Sequence, residues 1–163
     1  FSEIIEELCQ KRWIDYIRKN SSNAPILNQL PNLEQFMFEP SRNQLNAVST
    51  VLVELQDCKC FYCNKPMRKG NYAVDHFIPW SMYPSDTGHN FVLADSNCNS
   101  KKSNLLASDE FLHKWQERNE EQDLIIVDRI SVLGFLTDKE RSHKVAEWAY
   151  AQGKENNYFL WNG

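Results

Sequence analysis

No stretch of this 163-residue chain is apolar for long. The longest aliphatic run is the four residues Leu124 to Val127, where a membrane-spanning helix needs roughly 18 or more. No basic segment leading into an apolar one opens the chain, so no secretory leader is visible. Internal repeats and low-complexity tracts are also missing. Five cysteines do not make a disulfide framework at this length, and the Cys60-x-x-Cys63 spacing points to metal binding in a reducing compartment. A cytoplasmic location is the expectation. Nor is there a surplus of positive charge: 18 Lys and Arg stand against 22 Asp and Glu, a net −4. At first this counts against a nucleic-acid partner.

What is present suffices for one ordinary domain, which at this length buries roughly 70% of its unfolded surface. Hydrophobic residues make up 42% of the chain and aromatics 12%, with five Trp, so a packed core is expected rather than disorder. Phe1 in place of Met suggests a piece of a longer protein. The charge is unevenly spread. Between Cys58 and Asn104, six Lys or Arg face three Asp, a local +3, whereas the rest carries 12 basic and 19 acidic residues, or −7. The middle of the chain can face phosphates while its flanks do not.

Apolar residues recur at helical spacing at Phe1, Ile4, Ile5, Leu8, Trp13, Tyr16 and Ile17, with Ser2 as a candidate cap and Cys9 as a small buried residue. Residues 20–31 read as a connector, with Pro31 opening a short turn. Ser41 is the candidate N-cap of a helix over 42–56, striped by Leu45, Val48, Leu52 and Leu55. Strand signals are confined to 71–76 and 91–94. A helix is predicted from Cys98 to Ala107, and a second restarts at Ser108 with Phe111, Leu112 and Trp115 on one face. Thr137-Asp138-Lys139-Glu140 reads as a capping box, leading into Val145, Trp148 and Ala149, with Gly153 as the stop. The fold class is thus α+β and mainly helical. Helical segments at 1–57 and 108–163 flank a central segment, 58–107, of two short strands and a helix.

The densest chemistry lies between Cys60 and Lys102. There the chain reads C-F-Y-C, then V-D-H-F-I-P-W, then H-N-F-V-L-A-D-S-N-C-N-S-K-K. Zn²⁺ takes four tetrahedral ligands of Cys, His or carboxylate type. Cys60 and Cys63 offer two thiolates, and Asp95-x-x-Cys98 repeats the spacing with one ligand changed. A carboxylate is the harder and weaker partner beside thiolates, and Cys58 or His89 are alternatives for the fourth place. Without a metal, the same cysteines would be a redox pair or buried thiols.

Around these half-sites lie Asp75-His76, Asn90, Asn99 and Lys102. Phosphodiester hydrolysis needs an activated water, neutralised phosphoryl oxygens and a stabilised leaving oxyanion, which one hard cation and one general base can supply. Asp75 offers a carboxylate and Asn99 a neutral oxygen of the kind Mg²⁺ accepts. The imidazole of His76 can take a proton near neutral pH. Neighbours on a regular strand point to opposite faces, so Asp75 and His76 converge only where the strand ends, and Pro79 is consistent with an early end. Asn99 and Lys102 share one helix face, where a cationic side chain would meet a phosphate. Lys101 points elsewhere. His89 is expected to make a loop hydrogen bond, and His113 and His143 to be solvent or packing residues.

Asp-His, then Asn fourteen residues after the His, then Cys-Asn-x-x-Lys is an order that resembles the HNH endonuclease family. The resemblance covers about a quarter of the chain. It implies a ββα-metal core with His76 as general base, and with Asp75 and Asn99 as ligands of a catalytic Mg²⁺ or Mn²⁺. Asn90 would brace the His-bearing strand and Lys102 would bind the scissile phosphate. Structural Zn²⁺ would sit on Cys60, Cys63, Asp95 and Cys98. The implied substrate is double-stranded DNA, nicked or cut through, with 5′-phosphate and 3′-hydroxyl ends. RNA stays open, since such a site touches phosphate rather than base or sugar. No segment resembles a helix that reads base edges. Specificity would then come from further domains or partner subunits, as in a restriction or phage-defence protein. The competing expectation is a zinc-braced module that binds nucleic acid or protein without cutting.

Overall fold

The structure, a computed structural model, describes residues 2–20, 42–68 and 70–163, without the side chains of residues 2–8, 10 and 42–44. The connector beyond residue 20, the turn at Pro31 and the caps by Ser2 and Ser41 lie outside what is described. The chain divides into two compact units, residues 1–44 and 45–163.

In the first unit, helix α1 runs Ser2–Lys19, and the exposed Trp13 and Tyr16 stack at a centroid distance of 5.8 Å. Cys9 is exposed, not buried as expected. It lies about 140° around the helix from Ile14, which is buried.

The second unit contains α2 (Arg42–Leu55), whose first three residues precede its boundary, and then β1 (Tyr72–His76) and a 3₁₀ turn (Gly88–Asn90). After these come β2 (Phe91–Asp95), α3 (Ser96–Lys102), α4 (Asp109–Ser131) and α5 (Lys139–Glu155). This is the expected α+β fold, mainly helical around one hairpin. β1 and β2 pair antiparallel, from Tyr72 opposite Asp95 to His76 opposite Phe91. Phe91 to Ala94 are all fully buried, so β2 is the centre of the core. A two-stranded hairpin leaves the outer edge of such a strand without partners, which burial would penalise. Here Gln56, just past α2, stands in for a third strand. Its side-chain amide donates to Leu93 O at 2.9 Å and accepts from Leu93 N at 2.8 Å, and Phe61 N donates to Leu93 O as well. Val48 and Leu52, two of the predicted stripe, carry α2 into the core.

α4 packs against the end of the hairpin, at Phe77, His89 and Phe91. Trp115 stacks on Phe77, with centroids 4.9 Å apart, and donates its indole N–H to His89 O. Arg118 is buried and donates to His89 O and Phe91 O. Burial pushes its pKa down to about 9.

Four helix boundaries differ from expectation. α3 begins at Ser96 and ends at Lys102, not at 98 and 107. Asp95 caps it by accepting from Asn97 N, and residues beyond Ser103 are drawn away to pair with the C-terminal segment, where Trp161 N donates to Leu106 O and Ser108 N to Trp161 O. α5 is capped by Asp138, whose Oδ1 accepts from Arg141 N, rather than by Thr137. The backbone is still extended at Leu136, which bridges Thr87, so the helix starts one residue late. Gly153 does not stop α5. It lies inside the helix, at a position where a Cβ would come within 3.2 Å of Leu106 Cδ1.

Candidate metal and hydrolytic site

The sequence Cys60–Cys63 forms a tight turn. Cys60 N donates to Lys65 O and Asn64 N to Cys60 O, with Asn64 at φ 58°, a left-handed conformation that Asn tolerates. The turn sets Cys60 and Cys63 against Cys98 on the first turns of α3, and the three sulfurs lie within 4.8 Å of one another. Bonds of about 2.3 Å to a tetrahedral ion would place sulfurs about 3.8 Å apart, so the cluster suits Zn²⁺ with slight contraction. For Cys98, burial and then the neighbouring Cys63 push the thiol pKa up to about 12. For Cys63, burial acts upward but is outweighed by the Lys65 backbone and the other two thiols, and the value is lowered. Lys114 of α4 closes the cluster's rim, donating to Phe61 O and lying 4.7 Å over the Phe61 ring.

Asp95 is not in this group. One of its oxygens caps α3 and the other accepts from the Asn71 side chain at 3.1 Å, while its backbone N–H donates to Cys60 Sγ. An Asp one residue before a helix is held by the orphan amides of the first turn, and that use wins here. Cys58 and His89 do not join either. The Cys58 thiol donates to Met67 O.

Asp75 and His76 take different partners at the end of β1, Tyr62 and Lys102 for the carboxylate and Asp86 for the imidazole. Strand pairing runs through His76 and is continued by Phe77 N donating to Asn90 O, so the strand does not end before His76. Asp75 points inward and is 7% exposed. Its Oδ2 accepts from Tyr62 Oη at 2.5 Å and forms an ion pair with Lys102 Nζ at 3.1 Å. Both contacts fall on that one oxygen, and Oδ1 makes no hydrogen bond among the described residues. Burial, followed by the charge of Asp75, raises the Tyr62 hydroxyl pKa well above its ordinary value, so the phenol stays a donor.

Lys102 does not present its ammonium to solvent. The side chain is fully buried and also donates to His76 O at 2.9 Å. Burial lowers its pKa and the Asp75 carboxylate opposes that shift. The expected phosphate contact is therefore corrected: on the inner face of a helix only seven residues long, the lysine meets a carboxylate before it meets solvent. Asn99, one turn earlier, is half-buried, and its side-chain amide makes no hydrogen bond among the described residues.

His76 is partly exposed. Its Nε2 lies 2.7 Å from Asp86 Oδ1 and its ring meets Phe91 edge-on at 5.1 Å. A carboxylate partner fixes Nε2 as the protonated nitrogen and leaves the Nδ1 lone pair available. Asn90 braces the strand end by accepting from Ile78 N at 2.8 Å and donating to Ile78 O at 3.0 Å. His89 bonds not within its loop, as expected, but across to Asp123 of α4 at 2.9 Å. His113 is exposed, and His143 packs against Trp115 with centroids 5.3 Å apart.

Sequence reasoning missed Tyr62 and Asp86. Tyr62 sits inside C-F-Y-C, where the cysteines claim the eye. Asp86 lies in a Pro- and Ser-rich loop ten residues after His76, where no periodicity flags it.

Residues 60–108 match the HNH endonuclease family, so the resemblance read from the motif holds over this segment. The chain is 30% identical over 91 residues to the CRISPR-associated endonuclease Cas9 of Corynebacterium diphtheriae, an alignment covering 55% of the chain but only 8% of that protein. It also superposes on the crystal structure of the Type II-C Cas9 enzyme from Actinomyces naeslundii with a TM-score of 0.39 and 17% identity, covering 83% of the chain and 15% of that structure. The chain thus spans a small fraction of each.

Proposed function

We propose that the chain is a metal-dependent nuclease domain of the HNH type, hydrolysing phosphodiester bonds in double-stranded DNA. One observation carries this. A partly exposed imidazole is fixed through one nitrogen, next in sequence to a buried carboxylate held by one oxygen.

His76 is the general base, taking a proton from water at Nδ1, and Asp86 holds the Nε2–H and steadies the imidazolium that results. Asp75 Oδ1 and the side-chain oxygen of Asn99 are hard, uncommitted donors suited to Mg²⁺ or Mn²⁺. Bound there, such an ion would supply neutralising charge to the phosphoryl and leaving oxygens. Asn90 holds the strand that carries the base. Lys102 serves by orienting Asp75, and the exposed Lys101 beside it is the nearer candidate for a backbone phosphate. Cys60, Cys63 and Cys98 would hold a structural Zn²⁺, which gives a small hairpin folding energy that it lacks.

The similarity to a CRISPR-associated endonuclease, which the chain matches over 8% of its length, supports a role in phage defence inside a longer protein with further domains. No described helix is long and apolar enough to cross a membrane, and the cysteine usage favours the cytoplasm.

Supercoiled plasmid with Mg²⁺ or Mn²⁺ tests the reading. The parent protein nicks it, chelator stops the reaction, and His76→Ala slows it by about 10²–10⁴-fold, the usual contribution of a positioned base. Plasmid bound but uncut with every divalent ion would sink the enzyme and leave a zinc-braced binding module.

A further inference from the structure

We propose that Tyr62 is the positioning residue through which the cysteine cluster sets the geometry of Asp75, so that the sulfur site governs cation affinity at the oxygen site. The inference rests on Asp75 being a cation ligand. It assigns a role to a side chain in the middle of the Cys60–Cys63 turn.

Tyr62 is anchored on both sides of its Cα by cluster cysteines. Its ring is 6% exposed and is caged edge-on by Phe61, Phe111 and Trp161, with centroids 5.2, 5.3 and 4.9 Å away. A phenol has two side-chain torsions, and this cage restrains both, so movement of the turn is carried to the hydroxyl. That hydroxyl reaches Asp75 Oδ2 at 2.5 Å, the same oxygen that Lys102 takes at 3.1 Å. A hydrogen bond and an ion pair on one oxygen hold the carboxylate in place and leave Oδ1 without a hydrogen bond among the described residues. Phenylalanine would fill the cage equally well. What tyrosine adds is the bond to Asp75.

The test is Mn²⁺ binding, followed by electron paramagnetic resonance, to the zinc-loaded full chain and to Tyr62→Phe. The variant is expected to keep its zinc stoichiometry and circular dichroism spectrum but to bind Mn²⁺ about 10-fold more weakly, the lower end of what loss of an outer-shell partner costs a metal site. Withdrawing zinc is expected to weaken Mn²⁺ binding in the parent but hardly further in Tyr62→Phe, because the route between the sites is already cut. Parental affinity in Tyr62→Phe, or independent losses from the mutation and from zinc removal, overturns the inference. If Tyr62→Phe does not fold, Cys98→Ser takes its place. That change opens the cluster while leaving Tyr62 and Asp75 in the chain, and unaltered Mn²⁺ affinity there overturns the inference equally. A parent that binds no Mn²⁺ and leaves plasmid intact removes the nuclease reading and this inference together. A parent that binds and nicks, beside a Tyr62→Phe that matches it, removes this inference alone.

Discussion

Replacing Lys102 by Met separates two jobs that its position in the motif allows. A phosphate-binding lysine is an exposed group whose loss leaves folding within about 0.5 kcal/mol of the parent. In the structure, Lys102 and Asp75 face each other at 3.1 Å with side chains 0% and 8% exposed. At that distance and an effective dielectric of about 20, their attraction is about 5 kcal/mol, much of it offset by the desolvation of both ions. Met keeps the bulk of the stem but leaves the carboxylate buried with one neutral donor, Tyr62. Breaking a buried pair from one side costs about 3–5 kcal/mol. For a unit covering residues 45–163, this lowers the melting midpoint by about 10–20 °C. The assay is thermal and urea unfolding at saturating zinc. Asp75→Asn combined with Lys102→Met is expected to recover much of the loss, since no lone charge then remains. A midpoint within 2 °C of the parent, or a double variant as unstable as the sum of its singles, would refute the counter-ion assignment.

Two further outcomes follow from groups around the 3₁₀ turn. His89 is buried beside Asp123, Arg118 and His143, and burial, its largest influence, lowers its pKa below 6.5. The unfolded chain therefore binds more protons just below pH 6.5, and stability must fall as the pH drops from 6.5 towards the lowered folded value. The urea midpoint is expected to decline between pH 7.5 and 5.5 more steeply in the parent than in His89→Gln, and equal slopes would refute the assignment. At Gly88, an added Cβ would stand 2.9 Å from Ile130 Cγ2 and 3.0 Å from Thr137 Cγ2. Gly88→Ala is expected to cost about 1–3 kcal/mol by overpacking, read as a lower urea midpoint at unchanged zinc content. An unchanged midpoint would show that the neighbours yield freely.

Short-range signals in the sequence located most of the framework. Short runs of β-forming residues beside Gly and Pro gave both strands to within a residue, and the 3.6-residue stripe of Val48 and Leu52 found the buried face of α2. The motif also named the three cysteines that meet. What failed was competition between uses of one group. Asp95 suits a zinc site and a helix cap, and only the backbone's position decides between them. Lys102 and Asn99 share a helix face, yet spacing does not say whether that face meets solvent or Asp75. Thr137 scores as a cap until the extended pairing of Leu136 with Thr87 delays the helix. Tyr62 and Asp86 escaped because their importance lies in partners 13 and 10 residues away in the chain, a relation no local pattern records.

The two hydrogen bonds between the Asn90 side chain and the Ile78 backbone, with Phe77 N donating to Asn90 O, tie off the mouth of the excursion between the two strands. A loop closed at its neck no longer depends on its own length to hold its ends together, and doubling it costs only about 0.6 kcal/mol. Insertions at the exposed Trp80 and Ser81 are therefore cheap, while Met82 and Tyr83 stay packed against the core and Asp86 must still reach the imidazole.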